Sequence, residues 1–427
     1  MDTDQLYSFF LENPFISTDT RKIYKNSIFF SLKGANFNGN TFAKEAIKLG
    51  ARIALVDEID FQDQSNNIYY VENALQALQN LAKKHRASLT IPIIGLTGSN
   101  GKTTSKELIA SVLKEKYNVW YTQGNLNNHI GVPLTILSIK PEHEIAIIEM
   151  GANHQKEIEM LSSICMPDIG YITNFGKAHL EGFGGIDGVI KGKSELYEYL
   201  KENKKTVLIN RSDSLQIKQA ANINSKLTFG ETNQANYLIT QSTDSLNFLC
   251  VVCNEIEIKS NLTGNFNFSN VSVAIALGLH FSIPIMHIKK GIESYVPTNL
   301  RSQFIKKGDK NILLDTYNAN PSSVEVSLQN FAGFKADKMV ILGDMFELGE
   351  YEAIEHEKIA LLATTLNFDL ILLVGERFYN TTILGANIKK FQTKPNLINF
   401  LTHTNTPTTV LIKGSRGMSL ETIVDYL

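Results

Sequence analysis

The feature that most constrains this chain is a glycine-rich turn between an apolar strand and an amphipathic helix. Residues 91–96 predict the strand, and a helix is predicted from Lys102 to about Lys116, with Leu108 and Val112 on its apolar face. The turn at 98–104 reads Gly-Ser-Asn-Gly-Lys-Thr-Thr. Strand, turn and helix in this order are typical of phosphate-binding loops. The sequence therefore predicts a nucleotide site at the edge of a parallel sheet.

Each residue type in this turn suits a phosphate. The glycines allow backbone N–H groups to point at phosphate oxygens, and the helix N-terminus adds partial positive charge. Lys102 supplies a full charge, and the Thr103 hydroxyl can bind Mg²⁺. Leu96 stands where the usual G-x-x-x-x-G-K-[ST] pattern has its first glycine. A turn without a ligand is the alternative, but Lys and Thr in register after two glycines favour the phosphate loop.

Length and element order indicate an α/β protein with three domains. The chain has 427 residues, and domains average about 150 residues. We predict an N-terminal domain at 1–88, a central domain at 89–297 and a C-terminal domain at 298–427. In the central domain, apolar strands alternate with helices, which indicates a doubly wound parallel sheet. These strands are predicted at 144–150, 168–173 and 206–209.

The other predicted elements complete the three domains. A run of short strands without intervening helices suggests an antiparallel patch on the central domain, at 227–229, 236–240, 246–252 and 255–259. A helix follows at 267–280. The N-terminal domain is a small α/β unit, with strands at 27–32 and 52–57 and helices at 41–50 and 73–85. The C-terminal domain is Rossmann-like, with strands at 311–315, 338–342, 369–374 and 409–412 that alternate with helices.

Composition and charge exclude several classes of protein. Lys plus Arg number 41 against 43 Asp plus Glu, so no net charge attracts the chain to nucleic acid. The longest apolar runs are far shorter than the roughly 20 residues of a membrane span. The N-terminus is acidic, with Asp2 and Asp4, where a signal peptide would be basic. We therefore expect a cytoplasmic protein that neither binds nucleic acid nor inserts into a membrane.

Two polar residues follow other predicted strands of the central sheet. Glu149 ends the apolar run 145–148, and His179 lies in a glycine-containing loop after the strand 168–173. The carboxyl ends of parallel strands face the ligand crevice, so a carboxylate there can bind Mg²⁺ directly or through water. Each residue alone is as consistent with a solvated strand end or an exposed loop histidine. Because both residues follow strands that neighbour a phosphate loop, a role in ligand or Mg²⁺ binding is favoured.

Several further segments resemble the Mur ligases. Besides the loop at 97–104, the resemblance covers 124–133 (Gly-Asn-Leu-Asn-Asn-His-Ile-Gly-Val-Pro), 149–153 (Glu-Met-Gly-Ala-Asn) and 178–184 (Ala-His-Leu-Glu-Gly-Phe-Gly). In the C-terminal domain it covers 315–321 (Asp-Thr-Tyr-Asn-Ala-Asn-Pro), 342–349 and 413–416. It thus extends over nearly the whole chain.

The resemblance implies a reaction. In the family member that these C-terminal segments resemble, ATP phosphorylates the terminal carboxylate of UDP-N-acetylmuramoyl-tripeptide. The amine of D-alanyl-D-alanine then attacks the acyl phosphate, and phosphate leaves. The implied cofactors are ATP and Mg²⁺, and we expect a monomer. Whether the tripeptide carries meso-diaminopimelate or L-lysine stays open.

The resemblance also implies roles for individual residues. The implied catalytic residues are Lys102, Glu149, His179 and Lys193. The implied Mg²⁺ ligands are Thr103, Glu149, His179 and a carbamylated Lys193. Lys191 is the alternative to Lys193 as the carbamylated residue. The residues implied to bind ATP are Gly98, Ser99, Asn100, Gly101, Lys102, Thr103, Thr104, Asn267, Asn270, Arg301 and Asp315. Those implied to bind substrate are Asp19, Thr20, Arg21, Asn127, Asn128, His129, Asn318 and Asn320.

Two other functions compete with this interpretation. The ligase that acts one step earlier would carry an Asp-Asn-Pro-Arg-type signature in the C-terminal domain, where this chain has Asn318-Ala319-Asn320-Pro321. An inactive Mur-like binding protein would be expected to lack a phosphate-loop lysine or a metal ligand, but the chain has them.

A site that is divided between domains also predicts closure on ligand binding, with hinges near 88–91 and 297–300.

Overall fold

The computed structural model describes residues 1–242 and 248–427. Helices and parallel strands alternate through most of the chain, which confirms the predicted α/β class. Three large sheets follow one another along the sequence, and we call the parts built on them the N-terminal, central and C-terminal units. Among the described residues, no helix is both long enough and apolar enough to cross a bilayer.

The N-terminal unit is built on a small parallel sheet. Its helices are α1 (Thr3–Glu12), α2 (Ala43–Lys48) and α3 (Ala74–Ser88). Its strands are β1 (Ile16–Ser17), β2 (Ile28–Phe30), β3 (Lys33–Gly34), β4 (Phe37–Asn38), β5 (Ile53–Val56) and β6 (Ile68–Tyr70). Strands β1, β2, β5 and β6 form the parallel sheet in that order, and β3 and β4 form an antiparallel pair. Asn73 caps α3 by accepting a hydrogen bond from the Gln76 N–H.

The central unit has a seven-stranded parallel sheet and a three-stranded antiparallel sheet. Its helices are α4 (Lys102–Leu113), α5 (Gly131–Leu137), α6 (Glu157–Cys165), α7 (Leu180–Phe183), α8 (Ile186–Glu202), α9 (Ser214–Gln219), α10 (Phe268–His280) and α11 (Ile285–Ser294). Its strands are β7 (Ile93–Thr97), β8 (Val119–Tyr121), β9 (Ile145–Glu149), β10 (Ile169–Ile172), β11 (Thr206–Asn210), β12 (Lys226–Gly230), β13 (Tyr237–Leu238), β14 (Thr240–Gln241), β15 (Phe248–Cys253) and β16 (Ile256–Thr263). The parallel order is β13-β12-β11-β10-β7-β9-β8, and β14, β15 and β16 form the antiparallel sheet.

The C-terminal unit has a six-stranded sheet in the order β17-β18-β22-β19-β20-β21. Its strands are β17 (Gln303–Lys307), β18 (Lys310–Asp315), β19 (Lys338–Gly343), β20 (Leu370–Val374), β21 (Ile388–Phe391) and β22 (Thr409–Lys413). Its helices are α12 (Pro321–Ala332), α13 (Glu352–Thr365), α14 (Glu376–Tyr379) and α15 (Lys394–His403). Only the edge strand β17 pairs antiparallel within this sheet.

The structure corrects the prediction for residues 226–260. Strand β12, predicted at 227–229 as part of the antiparallel patch, pairs in parallel with β11 because helix α9 makes the crossover between them. The predicted strand 236–240 is divided between the two sheets. In the predicted strand 246–252, residues 246 and 247 lie outside the described residues. In the N-terminal unit, the helix predicted at 41–50 is shorter, because residues 39–42 form a 3₁₀ turn and α2 begins at Ala43.

The central sheet brings the predicted functional positions to one edge. Strands β7, β9 and β10 are neighbours and parallel, so the loops that follow them lie side by side. All five residues of β7 and of β9 are buried. This burial agrees with helices that cover both faces of the sheet. The phosphate loop, Glu149 and the loop that contains His179 are therefore adjacent.

Candidate active site

The phosphate loop needs glycine at two positions. Gly98 has φ 142°, and a Cβ there would lie 1.9 Å from Thr173 Oγ1. Gly101 has φ 79°, and a Cβ there would lie 2.6 Å from Asn270 Oδ1. The loop is also held by neighbouring strand ends, because Ser99 Oγ donates to the Gly176 carbonyl at 2.7 Å. Larger residues would therefore push the loop away from the walls of the site.

Lys102 folds back over the loop. Its Nζ donates to the carbonyl oxygens of Gly98 at 2.6 Å and Ser99 at 3.3 Å. Burial lowers the pKa of Lys102 to about 8, while the nearby Glu149 charge acts in the opposite direction. Carbonyl oxygens are weaker partners for an ammonium than phosphate oxygens, so the side chain can transfer to a bound polyphosphate.

Glu149 is the buried carboxylate of the site. Its Oε1 accepts hydrogen bonds from Asn127 Nδ2 at 2.8 Å and Thr103 Oγ1 at 3.3 Å. Its Oε2 is buried without a hydrogen bond, and Lys106 Nζ lies 3.6 Å from it. Mg²⁺ in nucleotide sites uses one or two carboxylates together with phosphate oxygens and waters. The free carboxylate oxygen beside a threonine hydroxyl fits that donor set.

The donor set is mixed rather than a preformed cage. No three His, Cys, Asp or Glu side chains among the described residues are grouped so that they could hold a metal. His179 lies across the same cavity, with its Nδ1 2.5 Å from Glu347 Oε2 of the C-terminal unit. This contact lowers the pKa of the Glu347 carboxyl. Phosphate oxygens would have to supply the remaining ligands.

Lys193 and Lys191 differ sharply in their surroundings. Lys193 is buried, its Nζ donates to the Ala152 carbonyl at 3.2 Å, and it lies 4.9 Å from the centre of the Phe183 ring. Burial, and then the Lys102 charge, lower the pKa of Lys193 well below its usual value. Lys191 is exposed on the same helix. Of the two lysines, Lys193 is the one that is buried, has a lowered pKa and contacts a cavity-lining residue, Ala152.

Two buried amides line the opposite side of the phosphate loop. Asn270 Oδ1 accepts from Ser105 Oγ at 2.9 Å, and its Nδ2 donates to Asn267 Oδ1 at 2.8 Å. Asn267 Nδ2 in turn donates to the Thr263 carbonyl at 2.8 Å. The chain of hydrogen bonds fixes both amides relative to helix α4. Both side chains line the cavity.

The C-terminal unit contributes the facing wall. Asp315 and Lys413 are paired in register on β18 and β22, and Lys413 Nζ lies 2.6 Å from Asp315 Oδ2. Asn320 Nδ2 donates to Asn100 Oδ1 at 2.7 Å, which links this wall directly to the phosphate loop. The backbone O of Asn318 lies 3.5 Å from Lys413 Nζ. A ligand in the cavity would therefore contact residues from two units.

Most of the predicted site residues line one cavity of about 1000 Å³. These are Ser99, Asn100, Gly101, Lys102, Thr103, Thr104, Asn127, Asn128, His129, Glu149, His179, Asn267, Asn270, Arg301, Asp315, Asn318 and Asn320. Gly98 and Lys193 each contact a cavity-lining residue: the Gly98 carbonyl accepts from Lys102 Nζ, and Lys193 Nζ donates to the Ala152 carbonyl. Asn127 points at Glu149, and Asn128 Oδ1 accepts from the N–H groups of Ile130 and Gly131 at the start of α5. These two side chains are therefore engaged within the protein.

Asp19, Thr20 and Arg21 do not line this cavity. They form a short 3₁₀ turn in the N-terminal unit, in which Asp19 accepts from the Arg21 N–H at 3.0 Å. The Arg21 guanidinium lies 2.7 Å from Asp19 and is almost fully exposed. Its hydrogen bonds lower the pKa of Asp19 to about 2. The turn therefore presents a charged pair at the surface of the N-terminal unit.

Sequence reasoning missed four residues that contact the predicted site. Lys106 faces Glu149, Lys413 pairs with Asp315, Glu347 contacts His179, and the Tyr317 ring lies 3.7 Å from the Arg301 guanidinium carbon. Lys413, Glu347 and Tyr317 belong to segments whose resemblance was noted without a role for these side chains. Lys106 could have been found from its place one helical turn after Lys102.

The phosphate loop lies at the edge of a parallel sheet, with the Glu149 carboxylate and the Lys102 ammonium beside it. This arrangement is typical of a nucleotide-binding enzyme. Sequence families identify it further: residues 13–86 match the Mur ligase family catalytic domain, 96–278 the Mur ligase middle domain, and 300–416 the Mur ligase glutamate ligase domain. UDP-N-acetylmuramoyl-tripeptide–D-alanyl-D-alanine ligase of Bacillus subtilis is 33% identical, covering 96% of this chain and 92% of the relative.

Solved structures agree. MurF from Acinetobacter baumannii superposes with a TM-score of 0.85 at 30% identity, covering 96% of this chain and 92% of that one. MurF from Thermotoga maritima in complex with ADP gives a TM-score of 0.85 at 25% identity, covering 96% of each chain. The chain belongs to the Mur ligase family. It is an ATP-dependent ligase, and the resemblance seen in its sequence is confirmed.

Proposed function

We propose that the chain joins D-alanyl-D-alanine to UDP-N-acetylmuramoyl-tripeptide with the consumption of ATP. One observation carries this proposal: the phosphate loop and the 315–321 segment face each other across one cavity and touch through Asn100 and Asn320. Relatives that match almost the whole chain bear the name of this activity. Since ATP and UDP-linked precursors are cytoplasmic metabolites, we place the reaction in the cytoplasm.

The first chemical step is attack by the tripeptide carboxylate on the γ-phosphorus of ATP, which releases ADP and forms an acyl phosphate. Two anions must approach each other, so positive charge near the γ-phosphate lowers the barrier. Lys102 and Arg301 both line the cavity and can provide it. Mg²⁺ held by Thr103 and Glu149, with His179 on the substrate side, would neutralise further phosphate charge when bound.

The second step forms the amide. The free amine of D-alanyl-D-alanine attacks the acyl carbon, and the tetrahedral intermediate collapses with loss of phosphate and a proton. Enclosure between two units would keep water from hydrolysing the acyl phosphate. We propose that the C-terminal unit closes over the central unit about residues 297–300, and that domain boundaries lie near 88–91 and 297.

We also propose that Lys193 is carbamylated in the active protein. The Lys193 amine would attack CO₂ and release one proton to solvent, and the carbamate formed would introduce a negative charge beside the cavity wall; burial, which lowers the pKa of Lys193, favours this reaction. Growth of a ¹³C signal from ¹³C-bicarbonate in the wild type and its loss in Lys193→Ala would support this. Lys193→Ala rescued by short-chain carboxylic acids would agree, whereas unchanged activity of Lys193→Ala would refute the assignment. Lys191→Ala is the matched control.

The decisive assay is phosphate release from ATP with UDP-tripeptide, with and without D-alanyl-D-alanine. We expect strict dependence on the dipeptide with either the diaminopimelate or the lysine form of the tripeptide. Turnover with a free diamino acid and a UDP-dipeptide instead would identify the ligase one step earlier. ADP binding without any turnover would identify an inactive binding protein.

A further inference from the structure

Glu107 lies on helix α4, five residues after Lys102. Its Oε2 accepts two hydrogen bonds, from Tyr295 Oη at 2.9 Å and from Asn299 Nδ2 at 3.0 Å. Burial, and then the Glu107 charge, raise the pKa of Tyr295, so the phenol stays a donor. One carboxylate oxygen thus fastens the segment that joins the central and C-terminal units to the phosphate-loop helix.

Arg301 follows this fastened segment directly. Its neighbours Leu300 and Ser302 have φ of 60° and 47°, a left-handed conformation that residues other than glycine rarely adopt. The Arg301 guanidinium carbon lies 3.7 Å from the Tyr317 ring centre, and the Tyr317 N–H donates to the Leu300 carbonyl at 3.1 Å. The two residues that flank Arg301 are therefore held in a backbone conformation that the surroundings must enforce.

The Arg301 side chain has a hydrogen-bond donor that a bound anion could use. Its Nε is buried and has no hydrogen-bond partner, and the side chain lines the cavity beside the phosphate loop. An arginine donor left without a partner is a costly arrangement unless a ligand uses it. The fixed geometry thus favours an anionic group in the cavity.

We infer that Glu107 is a positioning residue for Arg301: through Tyr295 and Asn299 it sets the linker so that the guanidinium faces the nucleotide phosphates. The inference rests on the proposed function for the role of Arg301 in ATP binding. The inference gives the phosphate-loop helix two functional side chains: Lys102 at its start, which acts on phosphate directly, and Glu107 five residues later. The second acts only through the linker.

A double-mutant cycle tests this inference. We expect Glu107→Ala to raise the KM for ATP and the dissociation constant of ADP about tenfold, as for loss of hydrogen bonds to a charged group. Glu107→Gln keeps an acceptor oxygen and should stay within about twofold of the wild type. Because Glu107 acts through Arg301, Arg301→Ala/Glu107→Ala should bind no more weakly than Arg301→Ala alone. Additive losses in the double variant would overturn the inference.

The controls separate positioning from folding. Glu115 lies just past the other end of α4, with a mostly buried side chain paired with Lys290 at 2.8 Å, so Glu115→Ala should leave nucleotide affinity unchanged. Tyr295→Phe removes a single oxygen and should weaken ADP binding in the same direction with an unchanged melting temperature. If the wild type lacks dipeptide-dependent turnover, the proposed function fails, but ADP calorimetry still decides the role of Glu107. Normal ADP affinity in both Glu107→Ala and Tyr295→Phe would overturn it.

Discussion

The N-terminal and C-terminal units join the central unit in different ways. Helix α3 packs against α5 and α6 of the central unit, with Leu78, Leu81 and Ala82 in a shared buried core. Arg86 on this helix is buried and donates to the Cys165 carbonyl at 3.0 Å and the Met166 carbonyl at 2.8 Å. This junction is an extension of the central core.

The junction with the C-terminal unit surrounds the cavity and adds many polar contacts to its apolar ones, since Ala319 and Val324 belong to the same buried cluster. Lys177 Nζ lies 2.8 Å from Glu355 Oε1, and the Lys177 N–H donates to Ser322 Oγ at 2.9 Å. The Asn100–Asn320 and His179–Glu347 contacts belong to the same set. Polar side-chain contacts can exchange with water at low cost, whereas a shared apolar core cannot. We therefore expect the first junction to determine stability and the second to determine catalysis.

The largest effect should come from Lys102→Met. We expect kcat/KM to fall about 10³-fold, the upper end of the loss on removal of one electrostatic stabiliser. The free energy of unfolding should stay the same or rise, because Met does not require burial of an ammonium. Steady-state kinetics and urea denaturation measure the two effects. Lys114→Met, at the exposed end of the same helix, is the control, and a large loss of stability in Lys102→Met would contradict the division of roles.

Arg86→Met should have the opposite profile. Arg86 Nη2 lies 2.9 Å from Asp168 Oδ2, and removal of one partner from a buried ion pair costs about 3 kcal/mol. Asp168 would keep Lys205 Nζ at 2.7 Å and the hydrogen bond from the Ile93 N–H at 3.0 Å. We expect that loss in the free energy of unfolding, with kcat per folded molecule near the wild-type value. Arg52→Met removes an exposed pair with Glu12 and should cost less than about 1 kcal/mol. A fall in kcat without loss of stability in Arg86→Met would show that the N-terminal junction also contributes to catalysis, contrary to the proposed division.

The same difference explains what the sequence could and could not predict. The phosphate loop is a local pattern in which glycines, lysine and threonine are consecutive, so its strand, turn and helix were predicted correctly. The Asp315–Lys413 pair spans 98 residues and Glu107–Asn299 spans 192, and no local periodicity encodes such contacts. The pairing of strand β12 was predicted wrongly for the same reason, since a crossover helix, and not the residues of the strand, makes it parallel to β11.

Nucleotide binding should also depend on pH through Lys102. Its pKa of about 8 means that the ammonium is present below pH 8 and lost above it in the nucleotide-free protein. ADP affinity should therefore fall as pH rises from 7 to 9, by at most about tenfold, since one pKa unit corresponds to about 1.4 kcal/mol. Calorimetry at several pH values measures this slope. The same slope in Lys102→Met would show that another group titrates.

The smallest effect should come from Lys177→Gln, which removes one polar contact from the second junction. Lys177 is 42% exposed, and Glu355 keeps Lys358 at 3.3 Å, so we expect less than about 0.5 kcal/mol in the free energy of unfolding. The KM for substrate should rise by at most about twofold, less at high salt, because the contact favours the closed arrangement only weakly. Lys358→Gln removes the other lysine at Glu355 but leaves the junction intact, so it is the matched control. A stability loss in Lys177→Gln as large as that of Arg86→Met would mean that the C-terminal unit is fixed like the N-terminal unit, and that closure must occur elsewhere.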